Sequence, residues 1–415
     1  MFGGIVTAES PVLPIGSKLP TELPGLQAAA KDAPPPLPTL TDEEEQRFRV
    51  TPTKPAPKPE GLTAGPTGET AVESFPYVSV AWCRNNYGGS SGATYVDRFN
   101  WCAVRPSVIY SINSEGQVTG TTTFRMITAG KGAKGKSGTI DGRRTYFTSQ
   151  FDQFVDAGQV TNPATTDLEI TYTTSGYSGP MGSNPLCDVA GNSPQKVLDW
   201  KLGSMAEFTI SSLASAGYTP DKISRCGVAQ WARSDLNPTW LQLQRTNVRQ
   251  DSAPYLGTGG ASAFQDVMAV FWKYSWASPT HGQVAKHIWD AQTAPASTYP
   301  YKAGKAVPGS IDSGKPLSRL ANQTVWDAEA NARRAETTRV RTAACEAITP
   351  RPPDGWQCDE YPFASTWEGA GLGDGNYSVR YVEASHNLEA GTMLGQWYLD
   401  ERVLHREYFY TEIAP

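Results

Sequence analysis

The sequence predicts an α+β protein, and three observations support this fold class. Short runs rich in β-branched and aromatic residues recur between residues 75 and 257, separated by Gly, Ser, Asn and Pro, as is typical of antiparallel sheets. Helix-forming segments come later, at Ser318–Cys345 and Asn387–Leu404. Residues 1–74 are rich in proline and poor in large apolar side chains, which predicts a disordered tail that forms no core.

We expect four segments in chain order. The disordered Pro-rich tail covers residues 1–74, and an antiparallel β-sandwich or barrel-like domain covers residues 75–257. A connector covers residues 258–316, and a smaller C-terminal domain covers residues 317–415. The predicted strands of the β-rich domain are YVSVAWC, SVIYSI, TTTFRMITA, RTYFTSQF, DLEITYTT and AEFTISS. NSEGQVTG joins the second and third of these, so we expect a hairpin there.

Charge and hydropathy limit the partners of the chain. Its 415 residues carry a net charge of -5, so a nucleic acid would have to bind a local basic patch. No apolar run approaches the roughly 20 residues of a membrane span, so no span is expected. The first residues, MFGGIVTAESPVLP, lack the positive charge and long apolar run of a signal peptide.

The six cysteines fall into local pairs, which predicts the disulfides Cys83–Cys102, Cys187–Cys226 and Cys345–Cys358. None forms a CxxC motif, so a zinc site has little support, and the alternative is six buried thiols. Disulfides form in oxidising compartments, so we expect a secreted, extracellular protein.

Two motifs before the C-terminal domain call for an interpretation. GKGAKGKS, at Gly130–Ser137, satisfies the P-loop pattern, but the residues that follow it predict a turn and a strand. A P-loop requires a helix at that point, so we interpret the segment as a Lys/Gly loop. In the connector, GQVAKHIWDAQ has helical spacing. His281 and His287 stand six residues apart, a spacing that does not place them on one helical face, so we expect them to be surface or packing residues.

The densest set of ionisable and polar groups lies near the C-terminus, on a predicted strand, loop, strand and helix. Its members are Asp359, Glu360, Glu368, Arg380, His386 and Asn387. The blocks CDEYPFAST, SVRYVEASHN and AGTMLGQWYLDERVL resemble the catalytic core of the NucA/NucB-type secreted deoxyribonucleases. The resemblance covers the last third of the chain, from Pro316 onward. It implies a small ββα-metal nuclease core, in which an acidic residue takes the place of the usual His base, and DNA as the substrate.

Asp359 is our candidate general base for phosphodiester hydrolysis. A free Asp has a pKa near ~3.9, so the site would have to raise it. We expect the adjacent Glu360 and the apolar residues Trp356, Tyr361 and Phe363 to do so. Alternatively, Asp359 binds the metal and another group, such as His386, activates water.

The resemblance implies Asn387 as a metal ligand, and Mg²⁺ or Mn²⁺ would suit so few protein oxygens. Gln396 stands where the resemblance implies an Asn, so its role as a ligand or orienting group stays open. Glu368 fits an acidic position of the motif, as a ligand or a supporting carboxylate. Arg380 would hold a phosphate, or else pair with Glu383 or Glu368.

The helix-forming segment at Ser318–Cys345 carries the arginines Arg333, Arg334, Arg339 and Arg341. They form either a solvated helical face or, beside a nuclease site, a set of phosphate contacts. A nuclease would also have an inhibitor or immunity protein as a partner, and we expect a monomer. The alternatives are a non-catalytic secreted binding protein with a degenerate nuclease domain and, third, a P-loop phosphotransferase. RNA cleavage is not excluded.

Overall fold

The computed structural model describes residues 5–7, 12–19, 77–89, 91–133, 142–176, 187–213, 221–234, 237–257, 259–322, 327–352 and 354–415. Within these residues the chain forms two compact units. The first contains the described residues up to Ser252 together with Gly259–Asp266, and the second contains residues 253–257 and Val267–Pro415. Both units combine mostly antiparallel sheets with a few helices, which confirms the α+β class.

Eleven strands and two helices make up the described part of the first unit. They are β1 (Ile5–Thr7), α1 (Val80–Tyr87), β2 (Gly92–Tyr95), β3 (Asn100–Ile112), β4 (Val118–Lys131), β5 (Arg144–Gly158), β6 (Glu169–Gly176), β7 (Asp188–Asn192), α2 (Val197–Lys201), β8 (Ala206–Ser211), β9 (Ser224–Ser234), β10 (Asn237–Asp251) and β11 (Ala261–Phe264). One antiparallel sheet has the order β1-β3-β4-β5-β8-β7, with β2 also paired to β3, and the other has the order β11-β10-β9-β6.

The core of the first unit takes apolar side chains from both sheets, as in a β-sandwich. Trp101 and Phe147 come from the larger sheet, and Val228 and Phe264 come from the smaller one. The expected hairpin is confirmed, since β3 and β4 pair antiparallel on either side of its turn. The YVSVAWC segment is not a strand. Helix α1 begins there because the Ser79 side chain accepts a hydrogen bond from the Trp82 backbone N–H and caps the helix.

The predicted tail differs from the structure at two places. Strand β1 pairs antiparallel with β3, and Leu13 and Leu19 pack against the buried residues Val108 and Tyr110. Leu13 and Leu19 can therefore be partly buried, because residues of β3 provide the apolar surface on which they pack. The remainder of residues 1–74 lies outside the described residues. So do residues 134–141, which include most of the P-loop-like segment.

The second unit contains five strands and three α-helices in its described part. They are β12 (Ala269–Ser275), α3 (Gly282–Thr293), β13 (Leu317–Ser318), α4 (Ala328–Glu346), β14 (Trp356–Tyr361), β15 (Ser378–Glu383), α5 (Ala384–Asp400) and β16 (Tyr408–Ala414). Short 3-10 turns lie at Pro254–Leu256, Pro295–Ser297 and Ala370–Leu372. β16 is the middle strand of a three-stranded sheet, parallel to β12 and antiparallel to β13, and β14 and β15 form a separate hairpin.

The predicted connector contributes directly to the core of this unit. Phe271 and Tyr274 of β12 and Ile288 of α3 are buried together with Trp397 of α5 and Phe409 of β16. The range 258–316 therefore supplies β12 and α3 to this unit, because its apolar residues have a sheet and a helix to pack against, and it also supplies β11 to the first unit. The helical spacing of GQVAKHIWDAQ is confirmed as α3.

Helix α4 starts later than the composition of Ser318–Cys345 suggests. Asp327 accepts a hydrogen bond from the Ala330 N–H at 2.9 Å and forms the N-cap, while Leu317–Ser318 is strand β13. All three predicted disulfides are present, at Cys83–Cys102, Cys187–Cys226 and Cys345–Cys358. No helix in the described ranges is long and apolar enough to span a membrane.

Candidate active site

The β14–β15 hairpin organises the candidate site. Asp359 lies opposite Arg380, and Tyr361 lies opposite Ser378. Successive side chains of a strand point to opposite faces, so Asp359, Ser378 and Arg380 share one face. Their hydrogen-bond and ion-pair partners are on α3. The other face carries Glu360, whose partner is on α4.

Asp359 is held by a buried histidine. Its Oδ2 atom is 2.6 Å from His287 Nδ1, and His287 Nε2 is 2.8 Å from Ser378 Oγ. His287 has no exposed surface, whereas Asp359 retains 8%. An ionised Asp359 can only accept, so Nδ1 carries a proton and donates to the carboxylate, while Nε2 is hydrogen-bonded to the Ser378 hydroxyl. Both ring nitrogens are thus used, and the imidazole fixes the orientation of the carboxylate.

Arg380 is the cation on this face of the hairpin. Its Nη1 atom is 3.0 Å from Asp290 Oδ2 on α3, and 37% of its side chain is exposed. Burial alone would raise the pKa of Asp290, but hydrogen bonds from Lys286 and Arg380 hold this pKa below its usual range. The sequence suggested Glu383 or Glu368 as the ion-pair partner of Arg380, but the partner is Asp290. The guanidinium is therefore anchored at one end and open to solvent.

Glu360 does not join the Asp359 set, although the two residues are adjacent. Its side chain is 6% exposed on the opposite face, and neither carboxylate oxygen has a hydrogen-bond partner among the described residues. Arg341 Nε on α4 is 3.5 Å away. Burial raises the pKa of Glu360 to about 8, and Arg341 offsets only part of this effect. Strand alternation therefore places the two acids on opposite faces of the hairpin, and a catalytic role for Glu360 stays a prediction.

Glu368 has its own partners. It accepts hydrogen bonds from the Ser318 N–H at 2.8 Å and the Ser318 hydroxyl at 2.7 Å. Burial raises its pKa, and these hydrogen bonds and the charge of Arg333 act in the opposite direction. These contacts join the loop after β14 to β13. They are the contacts of a residue that supports the fold, and they do not bring Glu368 to Asp359.

Asn387 and Gln396 are both on α5 but do not converge. Nine residues turn a helix by about 900°, so the two side chains leave opposite sides of it. Asn387 Nδ2 donates to Gln357 Oε1 at 3.0 Å, and Gln357 shares the Asp359 face of β14. Gln396 Nε2 instead donates to Asp400 Oδ1 along the helix. Of the two predicted ligands, only Asn387 lies beside the hairpin.

The four arginines of α4 also separate. Arg333 donates to the Trp367 carbonyl at 2.8 Å, and Arg334 donates to the Ala321 carbonyl. Arg341 faces Glu360, and Arg339 forms an exposed ion pair with Glu336. Three of the four therefore stabilise the unit, and a continuous phosphate-binding row is not formed.

His287 is the residue of this site that the sequence analysis missed. A signal was present, because helical spacing places it on the same stripe as the buried residues Val284, Ile288 and Ala291. A buried imidazole requires hydrogen-bond partners, so a polar residue on an apolar stripe indicates a polar site beneath it. His386, the alternative base, is half-buried at the start of α5, with Nδ1 at 3.4 Å from the Gln283 N–H.

The site has hard oxygen donors, which are the ligands that Mg²⁺ and Mn²⁺ prefer. The Asn387 bond to Gln357 uses its amide nitrogen, so the carbonyl oxygen of Asn387 can serve as a ligand beside the Asp359 face. Among the described residues there is no group of three or more His, Cys, Asp or Glu side chains that could hold a metal ion. The donors therefore fit a hard cation that keeps several waters, and Gln396 does not belong to them.

The candidate site thus combines a carboxylate held by a buried histidine, an arginine anchored beside it and a helix that directly follows the hairpin. The family model for Deoxyribonuclease NucA/NucB matches residues 311–411, which include β14, β15, α4 and α5. The C-terminal part of the chain is thus similar to the NucA/NucB deoxyribonucleases, and this similarity supports a nuclease with a DNA substrate. His287 and Asp290 lie before the matched range. Neither the curated proteins nor the solved structures contain a match to the chain.

Proposed function

We propose that this protein is a secreted, metal-dependent endonuclease that hydrolyses DNA through a ββα-metal core formed by β14, β15 and α5. The observation that carries the proposal is the Asp359–His287 hydrogen bond, located in the DEYPFA block of the matched domain. Three disulfides fit an extracellular protein.

Asp359 acts as the general base in this proposal. It accepts a proton from the water whose oxygen attacks the phosphorus, while the ester bond to the leaving oxygen breaks. His287 is a positioning residue: it is buried and keeps Oδ2 in one orientation, so that the carboxylate meets the water along a fixed direction. Arg380 binds a non-bridging phosphate oxygen with the solvent-exposed part of its guanidinium.

Asn387 would hold the divalent cation, Mg²⁺ or Mn²⁺, next to this face. When bound, such a cation stabilises the negative charge that develops on the phosphate oxygens. A second arrangement uses the same residues differently, with Asp359 as a ligand of the cation. The hydrogen bond to His287 occupies only one acceptor site of the carboxylate, so it is compatible with both arrangements.

The test is incubation of the purified full chain with supercoiled plasmid in Mg²⁺, in Mn²⁺ and in chelator. We expect nicking and linearisation with either metal and none in chelator. RNA of similar length, tested in parallel, measures the preference for DNA. Intact plasmid under every metal condition would contradict the proposal and would favour a non-catalytic binding protein with a degenerate nuclease domain.

The two amides of α5 supply a matched control. Asn387→Ala should raise the metal concentration needed for half-maximal rate by about tenfold, so that excess metal restores activity. Gln396→Ala, on the other side of the helix, should leave both rate and metal dependence unchanged. Equal effects of the two substitutions would show that Asn387 is not a ligand.

A further inference from the structure

A cleft of about 540 Å³ lies along β15 in the second unit. Its walls include the aromatic side chains of Tyr299, Tyr301 and Trp356. Of the described residues that line it, Arg380 alone is charged, and none carries a carboxylate. The size is that of a site for a small molecule or a single unit of a polymer. The cleft therefore combines flat apolar surfaces with one positive charge.

Two of these aromatic side chains are open to solvent. Tyr301 is 74% exposed and Trp356 is 39% exposed, which is unusual for side chains with so much apolar area. Tyr299 contacts Tyr301 edge-on, with ring centroids 5.7 Å apart. The Tyr299 carbonyl accepts a hydrogen bond from the Val379 N–H at 2.7 Å, which holds this wall against β15. The rings are thus presented on a fixed support.

The cleft shares two residues with the candidate active site. Ser378 and Arg380 line it, and the same two residues bond to His287 and lie opposite Asp359, respectively. The opposite wall comes from the segment that the Cys345–Cys358 disulfide closes, since Ile348, Pro350 and Trp356 all lie between the two cysteines. The cleft therefore shares Arg380 and Ser378 with the candidate active site, although Asp359 itself does not line it.

We propose that this cleft binds an unpaired stretch of the DNA strand, with a base stacked on Tyr301 or Trp356 and the adjoining phosphate at Arg380. The proposal rests on the nuclease function proposed above and adds its substrate class, which is single-stranded or locally unpaired DNA. Only an unpaired base exposes its flat face to aromatic side chains, whereas the bases of a duplex are covered by their neighbours. The charge of the lining complements a phosphate, and the absence of carboxylates among its described residues removes a source of repulsion.

The experiment measures binding apart from cleavage. Fluorescence anisotropy of the full chain in chelator uses a labelled single strand of eight thymidines and a blunt duplex of the same length. We expect the single strand to bind at least about tenfold more tightly than the duplex. Tyr301→Ala and Trp356→Ala should each weaken single-strand binding by about tenfold, and Trp356→Phe should retain most of it.

The exposed Leu372, at 43%, is the matched control, because it is an apolar surface residue of the same unit that does not line the cleft. Leu372→Ala should bind like the wild type. Tyr301 is so exposed that its removal leaves the fold intact, which keeps the test valid even if Trp356→Ala lowers the melting temperature.

Three outcomes decide between the proposals. Wild-type affinity for the single strand in both Tyr301→Ala and Trp356→Ala, with plasmid still cleaved in Mg²⁺, overturns the cleft and leaves the nuclease standing. An equal loss of single-strand and duplex binding overturns the assignment to unpaired DNA. If Tyr301→Ala and Trp356→Ala lose single-strand binding but the wild-type protein cleaves no plasmid, the cleft is supported and the proposed nuclease activity is contradicted.

Discussion

The two faces of the β14–β15 hairpin carry neighbouring acids with opposite environments. Asp359 is hydrogen-bonded to an imidazole and lies beside an arginine that reaches solvent. Glu360 is buried, lacks hydrogen bonds to described residues, and has a pKa raised to about 8 by that burial. One carboxyl group is thus oriented by an imidazole, whereas burial favours the protonated form of the other. The comparison shows that two acids next to each other in a strand point to opposite faces and can therefore have different environments.

The largest expected effect distinguishes the two acids directly. Asp359→Asn keeps the shape of the side chain but removes the proton acceptor, so kcat should fall by about a thousandfold. Glu360→Gln resembles the protonated form of a buried acid, so kcat should stay within about threefold of the wild type. Plasmid cleavage rates in Mg²⁺ measure both. A loss in Glu360→Gln as large as that in Asp359→Asn would place both acids in the mechanism.

Removal of the imidazole behind Asp359 should have the next largest effect. His287→Ala leaves the carboxylate free to rotate, and a displaced catalytic group costs about a hundredfold in rate. We expect kcat to fall while KM for DNA is unchanged. His287→Asn can place an amide N–H near the position of Nδ1, so it should recover part of the rate at similar thermal stability. If Asn restores stability but no activity, His287 has only a structural role.

The Cys345–Cys358 disulfide joins α4 to the residue before Asp359. Its loss in Cys358→Ser should lower kcat by about tenfold, because the backbone beside the base becomes less fixed. The closed loop is short, so the free energy of unfolding should fall by about 3 kcal/mol at most. Cys187→Ser with Cys226→Ser removes a disulfide of the first unit and should leave kcat unchanged. Free thiols at Cys345 and Cys358 in fully active protein, detected by mass spectrometry, would contradict this prediction.

The smallest effect concerns stability and not rate. The pKa of Glu360 is about 8 in the folded protein against 4.5 for an unperturbed Glu, so folding favours the protonated form. Its contribution to stability is complete below the lower value and is lost as pH rises towards 8, by at most about 1.4 kcal/mol per pH unit. Arg341, Asp359 and Tyr377 are the ionisable groups that interact with it. The Arg341 charge lowers the pKa of Glu360 and so narrows the pH range of the loss, whereas the Asp359 charge raises this pKa.

Glu360→Gln cannot ionise, so its melting temperature should decline less than that of the wild type between pH 5 and about 8. Arg341→Gln should steepen the decline, because it removes the cation that offsets the buried charge. If the melting temperatures of the wild type and Glu360→Gln change equally with pH across this range, Glu360 is ionised throughout it.

Features set by short stretches of chain could be predicted from the sequence. The strand-like run around Arg380 and the helix after it depend on local periodicity, and both form. The disulfides join cysteines that are 13 to 39 residues apart. Strand alternation alone places Asp359 and Glu360 on opposite faces, so their separation could also be predicted from the sequence.

Long-range packing could not be predicted in the same way. The hydrogen bond between His287 and Asp359 spans 72 residues, and no pattern in one sequence specifies which helix covers which face of a hairpin. The connector became a strand and a helix of the second unit for the same reason, since its apolar residues identify a buried surface but not its partner. At the YVSVAWC segment, one capping serine outweighed the strand propensity of its valines.

The position of β16 has a consequence for the timing of folding. This strand lies between β12 and β13, yet it is synthesised after both of them. Until residues 408–414 have left the ribosome, the three-stranded sheet lacks its central strand. Phe271 and Trp397 then cannot pack against Phe409. The second unit therefore cannot assemble progressively from its beginning. A chain halted between Asp359 and Tyr408 would contain Asp359 but lack the sheet that completes its surroundings.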